Sequence, residues 1–155
     1  MTERQQDEEL LQIIEEVFNQ KIPFNQVLGL SVHSLDYDQP SVRFDMRPEL
    51  VGNFMRGNLH GGVISSVIDV AGGLAAFLGI QHKMRDEPLQ DKLDRFAKLG
   101  TIDLRVDYLR PGFGEWFQAT GFNLRTGNRV AVTRIELRND QEELIAVGTG
   151  AYVVA

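Results

Sequence analysis

Leu59-His60-Gly61-Gly62-Val63-Ile64-Ser65-Ser66-Val67-Ile68-Asp69-Val70-Ala71-Gly72-Gly73-Leu74-Ala75-Ala76-Phe77-Leu78-Gly79-Ile80 is the stretch that decides the fold. After a polar start it runs apolar almost without a break, with one carboxylate, Asp69, in its middle. A helix that is apolar on every side belongs in a core. Carboxylates are almost never buried unless they are paired or functional. A helix start offers free N–H groups, so an acid two turns further on completes the layout of a reaction site. Residues 61–79 are therefore predicted to form a central buried helix. Its glycines cost about 1 kcal/mol each in an exposed helix, so tertiary packing must hold it together. The stretch is also long enough to be tested as a membrane span. His60, Ser65, Ser66 and Asp69 interrupt it, and a central Asp alone costs about 2.5–3.5 kcal/mol on insertion scales. No membrane span is expected.

Upstream, Leu10, Ile13, Ile14, Val17 and Phe18 follow helical spacing, which predicts an amphipathic helix over 7–19 that Pro23 ends. Residues 1–24 read as an N-terminal helical extension and 25–155 as a single domain. Leu30 to Tyr37 and Ser41 to Arg47 read as a hairpin around Asp38-Gln39-Pro40. Residues 48–58 read as a loop. Downstream, 86–99 reads as an additional helix, with Asp86 as its cap and Pro88 in its first turn. Leu89, Leu93 and Phe96 share one face, Lys92, Arg95 and Lys98 fall on the outer side, and Gly100 stops the helix. Four strands follow, with a bulge expected near Thr133-Arg134. In the last strand Ala146, Gly148 and Gly150 share a face, a row of small residues fit to receive the central helix. This order predicts an α+β fold, a curved antiparallel sheet wrapped around one long helix.

Composition narrows the chemistry. The 155 residues fit one domain and contain no cysteine, so thiol nucleophiles, disulfides and cysteine-ligated metals are excluded. That composition suits a reducing compartment, and with no secretory pattern in the first residues a cytoplasmic location is expected. Net charge is −6, but residues 1–20 hold six acids and one base, which leaves −1 for the rest. Nucleic acid is not an expected partner. His33 and His82 stand apart from any acid cluster, so no metal site is expected. No G-x-S-x-G nucleophile elbow is present.

Gly57-Asn58-Leu59-His60-Gly61-Gly62, then Asp69, then Thr101-Ile102-Asp103-Leu104-Arg105-Val106-Asp107-Tyr108-Leu109-Arg110-Pro111 carry a resemblance. Over about residues 25–154 the chain resembles the hotdog-fold acyl-CoA thioesterases of the phenylacetic-acid-pathway branch. The resemblance implies that the Gly61 N–H polarises the thioester carbonyl and that Asp69 acts as nucleophile or general base. It further implies that Thr101 orients the water and His60 positions the site. The family's Asn, six residues before the His, falls on Phe54 here, and a one-residue slip would place Asn53 there. Gly62, Asn58, Arg110, Arg125 and Arg129 are candidate contacts to the substrate, the arginines to the CoA phosphates. No cofactor is expected beyond the CoA of the substrate.

The residues support that chemistry on their own. A helix N-terminus stabilises the charge that develops on a thioester oxygen. Without its surroundings, Asp69 would read as a structural acid bonded to its neighbours, His60 as a cap, Thr101 as an ordinary strand residue and the arginines as a solvated face. Eight residues separate Gly61 from Asp69, about 12 Å at 1.5 Å per residue. Both cannot touch one carbonyl, so the site is expected at a homodimer interface, alone or in a dimer of dimers. Leu89, Leu93 and Phe96 are expected to help enclose the acyl chain. The alternatives are a hotdog dehydratase or an acyl-CoA-binding module without turnover.

Overall fold

In the computed structural model, which describes all 155 residues, the chain opens with helices α1 (Glu3–Glu16) and α2 (Pro23–Leu28). Strands β1 (Ser31–Ser34), β2 (Ser41–Asp45), β3 (Val51–Asn53) and β4 (Asn58–Leu59) follow. Helix α3 (Gly61–Gln81) and the shorter α4 (Leu89–Ala97) come next. Strands β5 (Gly100–Tyr108), β6 (Trp116–Thr126), β7 (Val130–Asn139) and β8 (Leu144–Val153) complete it. Six strands form one antiparallel sheet in the order β1-β2-β6-β7-β8-β5. The sheet wraps α3, which packs on β2, β5, β6, β7 and β8. This is the hotdog architecture expected from the sequence.

The small residues explain how the helix fits. A Cβ on Gly148 would overlap Ile68 of α3, and one on Gly121 would stand 2.7 Å from the Ala71 carbonyl oxygen. Side chains of the sheet then bond helix carbonyls: Asn123 Nδ2 donates to Ala75 O at 2.8 Å and Thr133 Oγ1 to Gly72 O at 3.3 Å. The apolar stretch Gly61–Met84 has the length and composition of a membrane span, yet 72% of its most apolar window is buried in this core. All-round burial holds only for residues 71–81. Val63, Ser65, Ser66, Asp69 and Val70 are half-buried, so the first half of α3 keeps an open side.

Several elements depart from the sequence expectation. The first helix starts at Glu3, not residue 7, because Thr2 and Gln5 form a capping box. It ends in a π-turn over Val17–Lys21, whose carbonyls are taken by side chains: Asn25 Nδ2 donates to Phe18 O and Gln26 Nε2 to Asn19 O. Leu10, Ile14 and Phe18 lie in the same core as α3. β1 stops at Ser34 because Asp36 turns the chain, accepting bonds from the N–H groups of Asp38 and Gln39. The expected loop over 48–58 holds a short turn and the β3–β4 hairpin. α4 begins after Pro88, which occupies the cap position in place of Asp86, and ends before Gly100. The bulge falls on β6 between Asn123 and Arg125, across the ladder from Thr133. β7 needs none, since Ala131, Thr133, Ile135 and Leu137 all face inward while Val130 and Val132 face out.

Lys92 was expected on an outer face, but it is 1% exposed. α4 lies on α1, and Lys92 Nζ bonds Asp7 Oδ1 and the Arg85 carbonyl, each at 3.3 Å. Burial of a charge demands such partners. The close approach of β8 to α3 is testable: Gly148→Ala should destabilise the fold by about 1–3 kcal/mol, through overpacking against Ile68. Urea denaturation measures it.

Candidate active site

His60 is placed by backbone. Its N–H donates to Leu50 O at 2.8 Å, and the neighbouring Leu59 N–H donates to Gly112 O at 3.0 Å. β3 lies directly against it, since a Cβ on Gly52 would come within 2.6 Å of His60 Cα. His60 is the N-cap of α3, and its Nδ1 accepts from Gly62 N–H at 2.8 Å. The acceptor nitrogen carries no proton, so in the neutral ring the proton sits on Nε2. Val63 and Ile64 N–H both donate to His60 O. The Gly61 N–H is left as the one first-turn donor without an acceptor in the chain. Gly62, a candidate substrate contact, has its N–H engaged by His60.

Two turns on, Asp69 Oδ1 accepts from Thr101 Oγ1 at 2.8 Å and from the Tyr152 hydroxyl at 3.2 Å. The Tyr152 hydroxyl shares its one proton between that oxygen and the Asp69 carbonyl, which lies at 3.1 Å. Both donors hold one carboxylate oxygen and leave Oδ2 unbonded. β5 supplies Thr101 and β8 supplies Tyr152, which are direct partners in the ladder. Thr101 thus stands where expected beside Asp69. Tyr152 was not anticipated. As an apolar-strand aromatic it carries no local signal, and only the phase of Ala146, Gly148 and Gly150 places it on the face turned to α3.

Asp69 and Thr101 open into a cleft of about 410 Å³ whose other walls are mostly apolar. Val70, Leu74, Phe96 and Leu99 form part of it, and Phe18, Ile22 and Phe24 of the N-terminal segment close it. Of the three residues of α4 expected at an acyl chain, Phe96 lines the cleft, while Leu89 and Leu93 pack on the core. The contribution of the N-terminal segment has no signature in the sequence, because helical periodicity does not say what a face covers.

Gly61 opens into a separate cleft, also about 410 Å³, with Asn58, Tyr108, Arg110 and Pro111. There the Tyr108 hydroxyl donates to Gly61 O at 3.1 Å, and Arg110 pairs with Glu143 at 3.1 Å. Asn58 Oδ1 is buried without a partner. Asn53 lies in the exposed β3–β4 hairpin, where its Oδ1 accepts from Met55 N–H at 3.1 Å. Arg125 and Arg129 lie at the other end of the sheet, where Val130 faces Val153 and Val153 faces Gly100. The nine residues from Gly100 to Tyr108 span about 26 Å of strand. Within one chain, then, Thr101 and Asp69 share an end with Arg129, and Gly61 shares the other with Arg110. No cluster of His, Cys, Asp or Glu has the form of a metal site.

A helix carrying a free N–H at its start and an oriented carboxylate two turns on, wrapped by this sheet, defines a hotdog thioesterase scaffold. A family model described as the Thioesterase superfamily matches residues 56–146, and the chain belongs to that family. It is 43% identical to the medium/long-chain acyl-CoA thioesterase YigI of Escherichia coli K12, over 95% of each chain. A Salmonella typhimurium relative of the same name matches at the same identity and coverage. Among solved structures, a Shewanella oneidensis protein related to the thioesterase superfamily superposes with a TM-score of 0.92. That match has 48% identity and covers 95% of this chain and 96% of the other.

Burial, the charge on Asp69 and the hydrogen bond to it push the Tyr152 hydroxyl far above its ordinary value of 10.0. The folded state therefore favours the protonated phenol. A raised folded value contributes stability that is complete below the unfolded pKa and is lost as pH rises through the folded one. Stability should thus begin to fall above about pH 10. Tyr152→Phe should flatten that fall, which urea unfolding at pH 9 and pH 11 compares directly.

Proposed function

We propose that this chain hydrolyses acyl-CoA thioesters to the free acid and CoA. The observation that carries the reading is Asp69, held through Oδ1 by Thr101 and Tyr152, at the mouth of an apolar cleft. In the proposed reaction a water lies against Asp69 Oδ2 and is aligned by Thr101. Asp69 takes its proton as the oxygen attacks the thioester carbon. The carbonyl oxygen gains negative charge and accepts from the Gly61 N–H, where the helix dipole favours an anion. Collapse of the tetrahedral species expels the CoA thiolate, and the proton on Asp69 leaves with the products. His60, by engaging the Gly62 N–H, keeps the first turn of α3 in place around Gly61.

Gly61 and Asp69 lie on the same helix, about 12 Å apart along it, so each proposed site takes Asp69 from one protomer and Gly61 from its partner. β5 supports a dimer: it is an edge strand of the sheet with one side unpaired, and it exposes Ile102 and Tyr108. An unpaired edge invites another strand. A two-fold axis would set two β5 strands antiparallel, so the Thr101 end of one lies beside the Tyr108 end of the other. The half-exposed side of α3, with Val63, Ser66 and Asp69, would then meet the partner. The same rotation would bring Arg110 from one protomer toward Arg129 and Arg125 of the other, a cationic rim suited to the phosphates of CoA.

Release of the CoA thiol from a panel of acyl-CoAs tests the activity. Asp69→Asn should lower kcat by about 100-fold or more, the scale of lost base catalysis. Wild-type protein that releases no thiol from any acyl-CoA would refute the reading in favour of a binding module. Mixing two inactive variants tests the shared site. Gly61→Pro removes the N–H at a helix position that tolerates proline. Co-refolding it with Asp69→Asn should restore about a quarter of wild-type activity, since half the dimers are mixed and each holds one intact site. No recovery would mean that each chain completes its own site.

A further inference from the structure

Gly73 has no packing reason to be glycine. Its neighbour Gly72 has one, because a Cβ there would overlap the Tyr152 hydroxyl and crowd Ile135. At Gly73 a Cβ would meet Leu99 and the Tyr152 ring at 3.6 Å, an ordinary contact distance. Alanine would therefore fit the protein and would favour the helix. What the methyl would enter is the cleft, since Gly73, Leu99 and Tyr152 all line it. Gly73 also lies four residues after Asp69, on the same face of α3 and about 6 Å further along. A chain attached to a carbonyl at Asp69 that enters the cleft must pass over it.

We propose that Gly73 is a specificity-determining residue: the floor of an acyl channel that runs from Asp69 over Gly73 to the N-terminal wall at Ile22 and Phe24. The inference rests on the acyl-CoA reading above and adds the course of the acyl chain and the residue that sets its clearance. It accounts for a buried mid-helix glycine that costs stability and is not demanded by any neighbour. It also gives the N-terminal segment a role. Ile22 and Phe24 follow the π-turn, a distortion that often marks functional sites. Phe24 stays 53% exposed at the cleft although it is large and apolar.

Gly73→Ala separates packing from function by the sign of two effects. The thermal midpoint should rise by about 2–4 °C, from the gain in helix propensity. The ratio of kcat/KM for dodecanoyl-CoA to that for butanoyl-CoA should fall at least tenfold, as a misplaced methyl(ene) group costs about 10–200-fold. Ile22→Ala, at the far wall, should move the same ratio in favour of the longer chain. A folded Gly73→Ala protein whose ratio matches wild type, or whose rates fall equally on both substrates, overturns the proposal. Binding gives a readout independent of turnover. In an Asp69→Asn background, Gly73→Ala should weaken dodecanoyl-CoA at least tenfold more than CoA itself. If wild type releases no thiol from any acyl-CoA, the hydrolase reading falls. The binding comparison then decides the channel, and equal weakening of both ligands would overturn it.

Discussion

The contact between Tyr152 and α3 is the one on which the rest of the structure depends. The phenol ring fills the space left by the missing side chains of Gly72 and Gly150. Its hydroxyl bonds both the carbonyl and the carboxylate of Asp69. One side chain of the sheet therefore sets how deep the helix sits and which way its only acid points. Of these groups only Tyr152 is buried, and a buried polar group is costly unless it is satisfied. Here the helix carbonyl, the carboxylate oxygen, Thr101 and Tyr152 satisfy one another.

That arrangement explains why so apolar a helix can carry a carboxylate. Over residues 71–81 the helix is enclosed, and small residues let the sheet and its polar side chains reach the helix backbone. Over residues 61–70 one side stays half-open, and every polar side chain of the helix before Gln81 lies there. Burial and chemistry are divided along the length of one element. The helix start supplies a donor, and the middle supplies an acid. The rise per residue keeps the two apart, which is why the proposed site is shared between protomers.

Much of this was legible in the sequence because it is local. The glycines after His60, the lone acid two turns later and the small-residue row of β8 are read by helix and strand periods alone. Other features were not legible, for specific reasons. Lys92 looks like a solvated residue on an amphipathic helix, and only the packing of α4 on α1 turns it inward to Asp7. The capping-box spacing of Thr2 and Gln5 is present in the sequence, but it stands ahead of the apolar period that begins at Leu10 and so lies outside the helix which that period marks. The bulge expected near Thr133-Arg134 is absent because Val130 and Val132 are apolar yet face outward, and the irregularity opposite Thr133 lies on β6.

By itself the sequence determined the central helix, the sheet that must surround it, and Asp69 and the Gly61 amide as its chemically significant groups. These follow from periodicity, from the cost of burying a charge and from fixed helix geometry, whereas Thr101 is implied only by the family resemblance. Only the tertiary structure decided that Tyr152 holds the acid, that the N-terminal segment walls the cleft beside it, and that Gly73 faces that cleft while Gly72 faces the sheet. Adjacent glycines are equivalent as letters. They differ because each position on a helix turns about 100° from the last, and what lies in each direction is set by elements distant in the chain.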